Sequence, residues 1–387
     1  MTQKISSRAL NCADSPTLAI SAKAKYLKSQ GHNVIDFGAG QPDFEPSEHV
    51  KQAIIKSLEK KGYAKYTASS GIAELKKAIV EKLKKDNNIE YTEKQIIVSC
   101  GAKHSLYNIM HALLDKGDEV IIPSPYWVSY PEMVKLAEGI PVFVETDNEF
   151  KIKANKIEEA VTDKTKIIII NSPSNPTGAV IDDEELKKIA EIAVKHNIFV
   201  VSDEIYEKIV FGKKHLSIAS LNEDIKKLTI TVNGISKAYA MPGLRIGYAA
   251  GDEEIIKAMS RLQDQSTSNP TSIIQEAAVE AIKGQQEDLE KMRKEFEKRR
   301  DFIVDALNKM GFTCPKPEGA FYVFPKLPKG YEDSVKFTEE LLEKEKIAVV
   351  PGIYFGKEGY IRLSYACSIE EIKDGMERIK RFLTYYT

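Results

Sequence analysis

The sequence predicts an α/β fold: a mostly parallel sheet with helices on both faces, joined to a smaller α+β domain. Three observations carry this expectation. Short, continuously apolar runs rich in β-branched residues recur through the middle of the chain, as strands covered on both faces require. Amphipathic helical stretches alternate with those runs, the pattern of parallel strands joined by crossover helices. Beyond residue 285 the pattern changes to one long charged helix, short strands and further helices.

The apolar runs are QIIVSCG (95–101), DEVIIPSP (118–125), KIIIINSP (166–173), IFVVSDE (198–204) and LTITVNG (228–234). Helical patterns such as HSLYNIMHALLDKG and DEELKKIAEIAVKHN lie between them. The second opens on Asp182 and Asp183 and closes near Asn197, sensible start and stop signals. The charged helix spans roughly 285–310, and AFYVFPK and YIRLSYA read as strands after it. The expected division is an N-terminal arm over 1–16, a large domain over 50–284, and a small domain from 17–49 and 285–387.

Composition narrows the function classes. With 387 residues, 42% of them hydrophobic, the chain can bury a full core. Its 56 basic and 57 acidic residues leave a formal net charge of -1, so neither nucleic acid nor an anionic membrane is an expected partner. Apolar runs such as 166–170 are too short to cross a bilayer. The first thirty residues hold no apolar signal core, and a cytoplasmic location is expected. Cys12, Cys100, Cys314 and Cys367 are scattered without a CxxC pair, the usage of a reduced chain. The six histidines lack metal-ligand spacing, His104 and His111 included, so no metal is expected. Only nine of the basic residues are Arg. An Arg in an apolar setting, such as Arg245 or Arg362, therefore points to a need for a planar, two-pronged donor.

Four strand ends carry chemistry. After the strand ending at Asn233–Gly234, Lys237 stands at the mouth of the sheet, where α/β ligands bind. Partial desolvation there keeps its amine neutral more often and able to attack an aldehyde. Arg245, eight residues on, is suited to a phosphate. Asp203 ends a buried strand, with Tyr206 three residues later. Such a carboxylate can hold a pyridine nitrogen protonated, and Tyr206 can donate to an oxygen on the same ring. In NSPSNPTGAV, Asn175 precedes Pro176 and is forced from helical geometry, which stiffens a loop that presents its amide. Finally, the backbone amides of Gly101, Ala102 and Lys103 open a helix after a strand, an arrangement that attracts phosphate.

Taken together, NPTG, SDEIY, SKAYAMPGLRIGY and RLSYA closely resemble the class I, fold-type-I pyridoxal-phosphate aminotransferases, and the resemblance runs through nearly the whole chain. It implies a seven-stranded type of large domain that binds pyridoxal 5'-phosphate. Lys237 matches the lysine that holds the cofactor as a Schiff base. Asp203, Tyr206, Asn175 and Arg245 match the partners of ring nitrogen, ring oxygen and phosphate, and Trp127 matches the stacking aromatic. Arg362 matches the arginine for the substrate α-carboxylate, and Gly40 the loop that closes over it. Tyr66 resembles a tyrosine that reaches the phosphate from a neighbouring subunit, which implies a homodimer with shared sites. Many relatives carry a phosphate-binding Ser where this chain has Gly234, with Ser236 as a partial substitute. Lys103, Thr17 and nearby Ser15 match a bacterial subgroup that binds a dicarboxylic donor. The implied activity is amino transfer between L-aspartate and 2-oxoglutarate. Prephenate or aromatic amino transfer is the alternative, with a β-eliminating lyase or a cofactor-bound regulator as rivals.

Overall fold

The computed structural model describes residues 5–385, so the first four residues of the expected arm lie outside the described residues. The strands, in chain order, are β1 (Ile35–Asp36), β2 (Ile96–Ser99), β3 (Glu119–Ser124), β4 (Ile140–Glu145), β5 (Thr165–Asn171), β6 (Phe199–Asp203), β7 (Thr229–Gly234), β8 (Gly247–Ala250), β9 (Tyr322–Val323), β10 (Ile347–Ala348), β11 (Val350–Pro351) and β12 (Ile361–Ser364). Seven of them form one sheet in the order β2-β8-β7-β6-β5-β3-β4. The pairs from β4 to β7 are all parallel, and β8 runs antiparallel to both β7 and β2.

The central strands bury both faces. Ile167, Ile169 and Val201 pack with Leu106, Met133 and Met259 in one cluster. Their neighbours Ile168, Ile170 and Val200 pack with Leu186, Ile189 and Ala193 in another. Each such side chain contributes about 1.5–3 kcal/mol by leaving water, which is why these strands show no polar alternation. The helix Asp183–His196 has Asp183, Glu184 and Glu185 in its first turn and Lys195 and His196 in its last, complementing its dipole. Asn197 ends it in a left-handed conformation with φ 53°.

The C-terminal part holds the three-stranded antiparallel sheet β11-β12-β9, and β1 pairs with β10 in parallel. The helix Glu287–Lys309 feeds Phe296, Ile303 and Leu307 into a core with Phe321, Phe337, Tyr365 and Phe382. No helix among the described residues is long and apolar enough to cross a membrane. Two strands of the large sheet escaped the sequence reading. β4 has the exposure of an edge, and β8 is a short GYAA segment without an apolar run.

Candidate active site

A cavity of about 470 Å³ opens at the ends of β5, β6 and β7. It is lined in part by Ser15, Thr17, Gly40, Ala102, Lys103, Trp127, Asn175, Asp203, Tyr206, Ser236, Lys237, Arg245 and Arg362. Of the residues given a cofactor or substrate role in the sequence reading, Gly101 and Tyr66 are outside the lining. Gly101 caps the helix Ala102–Leu113 with φ 88°, and a Cβ there would strike the Arg245 guanidinium. The N–H groups of Ala102 and Lys103 belong to that helix's first turn and have no acceptor within the helix. Tyr66 is 90% exposed.

Asp203 terminates β6 on the cavity floor and is fully enclosed by protein. Burial pushes its carboxyl up to about 6, against the pull of a hydrogen bond from the Tyr130 hydroxyl to Oδ2 at 2.7 Å. The Ile205 N–H also donates to Oδ1, at 3.3 Å. Tyr206 shares a 2.9 Å hydrogen bond with the hydroxyl of Tyr322. Both phenols are held above their ordinary range, chiefly by burial.

Lys237 follows β7 and sends Nζ to the carbonyl oxygen of Gly40 at 2.5 Å. Burial lowers its amine to about 8, helped by the positive charges of Arg362 and Arg245 and opposed by Asp203. Arg362 sits in β12, where Nη1 donates to Asn175 Oδ1 at 3.0 Å and Nη2 to the Gly38 carbonyl at 2.7 Å. Its buried Nε–H finds no acceptor in the protein. An unsatisfied donor on a buried guanidinium facing a cavity is the mark of a site for an anion. Asn175 is itself anchored, its N–H donating to Asn171 Oδ1 at 2.8 Å.

Toward the other end of the lining, Lys103 Nζ lies 4.8 Å from the centroid of the Trp127 ring. Lys103 thus lines the cavity beside Trp127 while remaining exposed. Burial, then the charge of Arg245, lowers its proton affinity. Ser15 and Thr17 stand 3.1 Å apart at their hydroxyls on the same lining. Arg245 departs from the apolar setting its sequence context promised. The apolar neighbours Ile246 and β8 are buried, but Arg245 itself is exposed, at φ 57°. Its guanidinium donates to the carbonyls of Pro242 and Cys100 at 2.8 and 3.2 Å. Gly234 also has a physical reason: a Cβ there would meet the Ile246 carbonyl oxygen at 2.8 Å, so Ser does not fit.

A family model described as aminotransferase class I and II matches residues 32–379. The chain belongs to the class I and II aminotransferases. This aminotransferase is 52% identical to the aspartate aminotransferase of Bacillus subtilis, over 98% of this chain and 99% of that one. It is 48% identical to a probable aspartate/prephenate aminotransferase of Aquifex aeolicus, over 99% of each chain. Among solved structures, the Thermus thermophilus aspartate aminotransferase with maleate superposes with a TM-score of 0.95 at 42% identity, covering 98% of this chain and all of that one.

Among the lining residues of the aminotransferase's cavity that were not picked out from sequence are Tyr130, Tyr322 and Asn171. Tyr130 braces Asp203, Tyr322 braces Tyr206, and Asn171 braces Asn175. Tyr130 follows Trp127 by three residues, which was the available signal.

Proposed function

We propose that this aminotransferase moves the amino group between L-aspartate and 2-oxoglutarate, using pyridoxal 5'-phosphate held at Lys237. The carrying observation is the placement of a half-buried Lys237, its amine lowered to about 8, on the same cavity as a buried carboxylate, Asp203, and a guanidinium with an unsatisfied donor, Arg362. The donor set fits the cofactor. Asp203 suits a protonated ring nitrogen, Tyr206 a ring oxygen, and Trp127 a ring face. Arg245, Ser236 and the first-turn amides after Gly101 suit its phosphate. When bound, the cofactor supplies an aldehyde that stores the amino group between two half-reactions.

The chain's own residues do the rest. Lys237 Nζ, near half-protonation at about pH 8, is poised to take and return the substrate's Cα proton. Arg362 grips the α-carboxylate two-pronged, and Asn175 and the Gly38–Gly40 loop fix its orientation. Lys103, with Thr17 and Ser15, meets the second carboxylate of a dicarboxylic donor. The maleate named with the Thermus structure is such a dicarboxylate. Prephenate also carries two carboxylates, which keeps the Aquifex relative's second substrate as the alternative.

The exposed Tyr66, with Ile55, Leu58 and Tyr63 also exposed nearby in the chain, supports a homodimer in which Tyr66 serves the neighbour's phosphate. The reading keeps the arm, large domain and small domain at 1–16, 50–284, and 17–49 with 285–387, and a cytoplasmic location. The deciding experiment is the absorption spectrum of the purified protein before and after L-aspartate alone. Conversion of the pyridoxal band to the pyridoxamine band is expected. An unchanged band would reject aspartate as donor, and release of pyruvate and ammonia would indicate a lyase.

A further inference from the structure

Beside the cavity floor, but outside its lining, lies a second cluster of ionisable groups. Lys82 and Asn87 come from the helix Ala73–Asn87, Glu204 and Glu207 from the turn after β6, and His215 and Ser217 from the segment beyond. Lys82, Glu204 and Glu207 are buried, and the His215 side chain is 8% exposed. Lys82 Nζ pairs with Glu207 Oε1 and donates to Asn87 Oδ1 at 2.7 Å. Asn87 Nδ2 donates to Glu207 Oε2 at 2.7 Å. The Ser202 and Ser217 hydroxyls donate to Glu204 Oε1 at 2.9 and 2.6 Å. His215 Nε2 stands 3.0 Å from the other oxygen, Oε2.

Two carboxylates and one ammonium leave this cluster one positive charge short, and a buried unbalanced charge is costly. The remaining titratable groups around it do not supply that charge. Tyr91, Tyr239 and Tyr248 are pushed up by burial and by these carboxylates, and stay neutral. Lys208 and Asp86, 2.7 Å apart, cancel each other. Glu204, Glu207 and His215 present ligand atoms within 4.8 Å of one another, but Lys82 already occupies Glu207 and would repel a metal cation. A proton on the imidazole is the remaining source. Burial opposes it, and the charges of Glu204 and Glu207 more than offset that, so the net shift is upward.

The cluster shares its turn with the active site. Asp203 and Tyr206 face the cavity, while Glu204 and Glu207, each one residue later, face the cluster. Hydrogen bonds from Glu204 N–H to the Val232 carbonyl and from Glu207 N–H to the Glu204 carbonyl, both 2.9 Å, make the turn stiff. We propose that protonated His215 completes a charge-balanced clamp with Glu204, Glu207 and Lys82, and that the clamp positions Asp203 and Tyr206 for the cofactor ring. The positioning role rests on the functional reading above.

The test uses the full chain loaded with pyridoxal phosphate. By imidazole nitrogen NMR at about pH 7.5, where an ordinary histidine is mostly neutral, one of the six imidazoles should be doubly protonated, and that signal should vanish in His215→Gln. That variant should bind pyridoxal phosphate about tenfold more weakly and shift the pH at which the bound cofactor's visible band titrates. The double variant Glu204→Gln/His215→Gln, again charge-balanced, should recover most of both. Three results overturn the proposal: no doubly protonated imidazole, one equivalent of divalent metal per chain, or a lower Tm with cofactor affinity and spectral titration unchanged. Should His215→Gln fail to fold, the wild-type NMR still decides the proton. Should the wild-type protein bind no pyridoxal phosphate, the functional reading fails and the positioning role with it, while the same NMR judges the clamp alone.

Discussion

Replacing Tyr130 with Phe removes one hydroxyl and leaves the ring packed edge-on to Trp127 at 5.3 Å. The lost bond is the 2.7 Å donation to Asp203, and its worth depends on pH. In the cofactor-free protein Asp203 has a raised carboxyl, about 6 against 3.8. The folded state therefore holds that proton more tightly than the unfolded chain. Ionised Asp203 costs nothing below 3.8, and its cost grows as pH rises through that window. Above 6 it is complete, at about 3 kcal/mol. Tyr130 restrains that cost by bonding the charged form. A hydrogen bond to a buried charge is worth about 1.5–3 kcal/mol, and one to a neutral carboxyl about 1. Tyr130→Phe should then destabilise the cofactor-free protein by about 1.5–3 kcal/mol at pH 8.5 and by about 1 at pH 5. For 387 residues the unfolding entropy is about 0.8 kcal/mol per kelvin, so Tm should fall by about 2–4 °C at pH 8.5 and about 1 °C at pH 5. Scanning calorimetry at both values checks this. An equal drop at the two pH values would refute an ionised, Tyr130-bonded Asp203.

Lys237→Ala should keep the cofactor by its non-covalent contacts and lose about 10²–10⁴ in turnover; steady-state rates at the wild-type level would sink its role. Arg362→Lys should cut kcat/KM for aspartate by about 10–100-fold, since a point charge cannot grip a carboxylate two-pronged. Lys103→Met should lower kcat/KM for aspartate by a similar factor and spare phenylalanine; parallel losses on both substrates would count against a distal-carboxylate contact. Gly234→Ser should cost about 1–3 kcal/mol in denaturant unfolding by forcing β7 away from β8, whereas tighter pyridoxal phosphate binding at unchanged stability would contradict the packing argument.

Much of this was readable in advance, for identifiable reasons. β5 and β6 are buried on both faces, so KIIII and IFVV announced themselves, and their ends located Asn175 and Asp203. β8 stayed hidden because small residues carry it: Gly247 lies so close beneath Ala102 that a Cβ would collide with its N–H. Such close packing leaves no apolar run to read. Tyr130 and Tyr322 were invisible as site residues because a tyrosine at a buried helix or strand position looks like core, and only the fold shows whose oxygen its hydroxyl meets. The Arg245 environment misled for the opposite reason. Its neighbours are apolar because they enter β8, while the arginine stands on the turn outside it. The clamp around His215 joins residues 82, 204, 207 and 215, separations that no local pattern encodes.

β7 and β8 are antiparallel neighbours, so the chain leaves and re-enters the sheet at the same end of its strands through residues 235–246. Lys237 and Arg245 stand near the two feet of that single connection. On the proposed reading, the covalent hold at Lys237 and the phosphate hold at Arg245 are inherited as one unit: lengthening or shortening this segment would shift both together. Variation in substrate range has more freedom elsewhere, in the chain around Thr17 and Lys103, where a changed side chain need not disturb either foot.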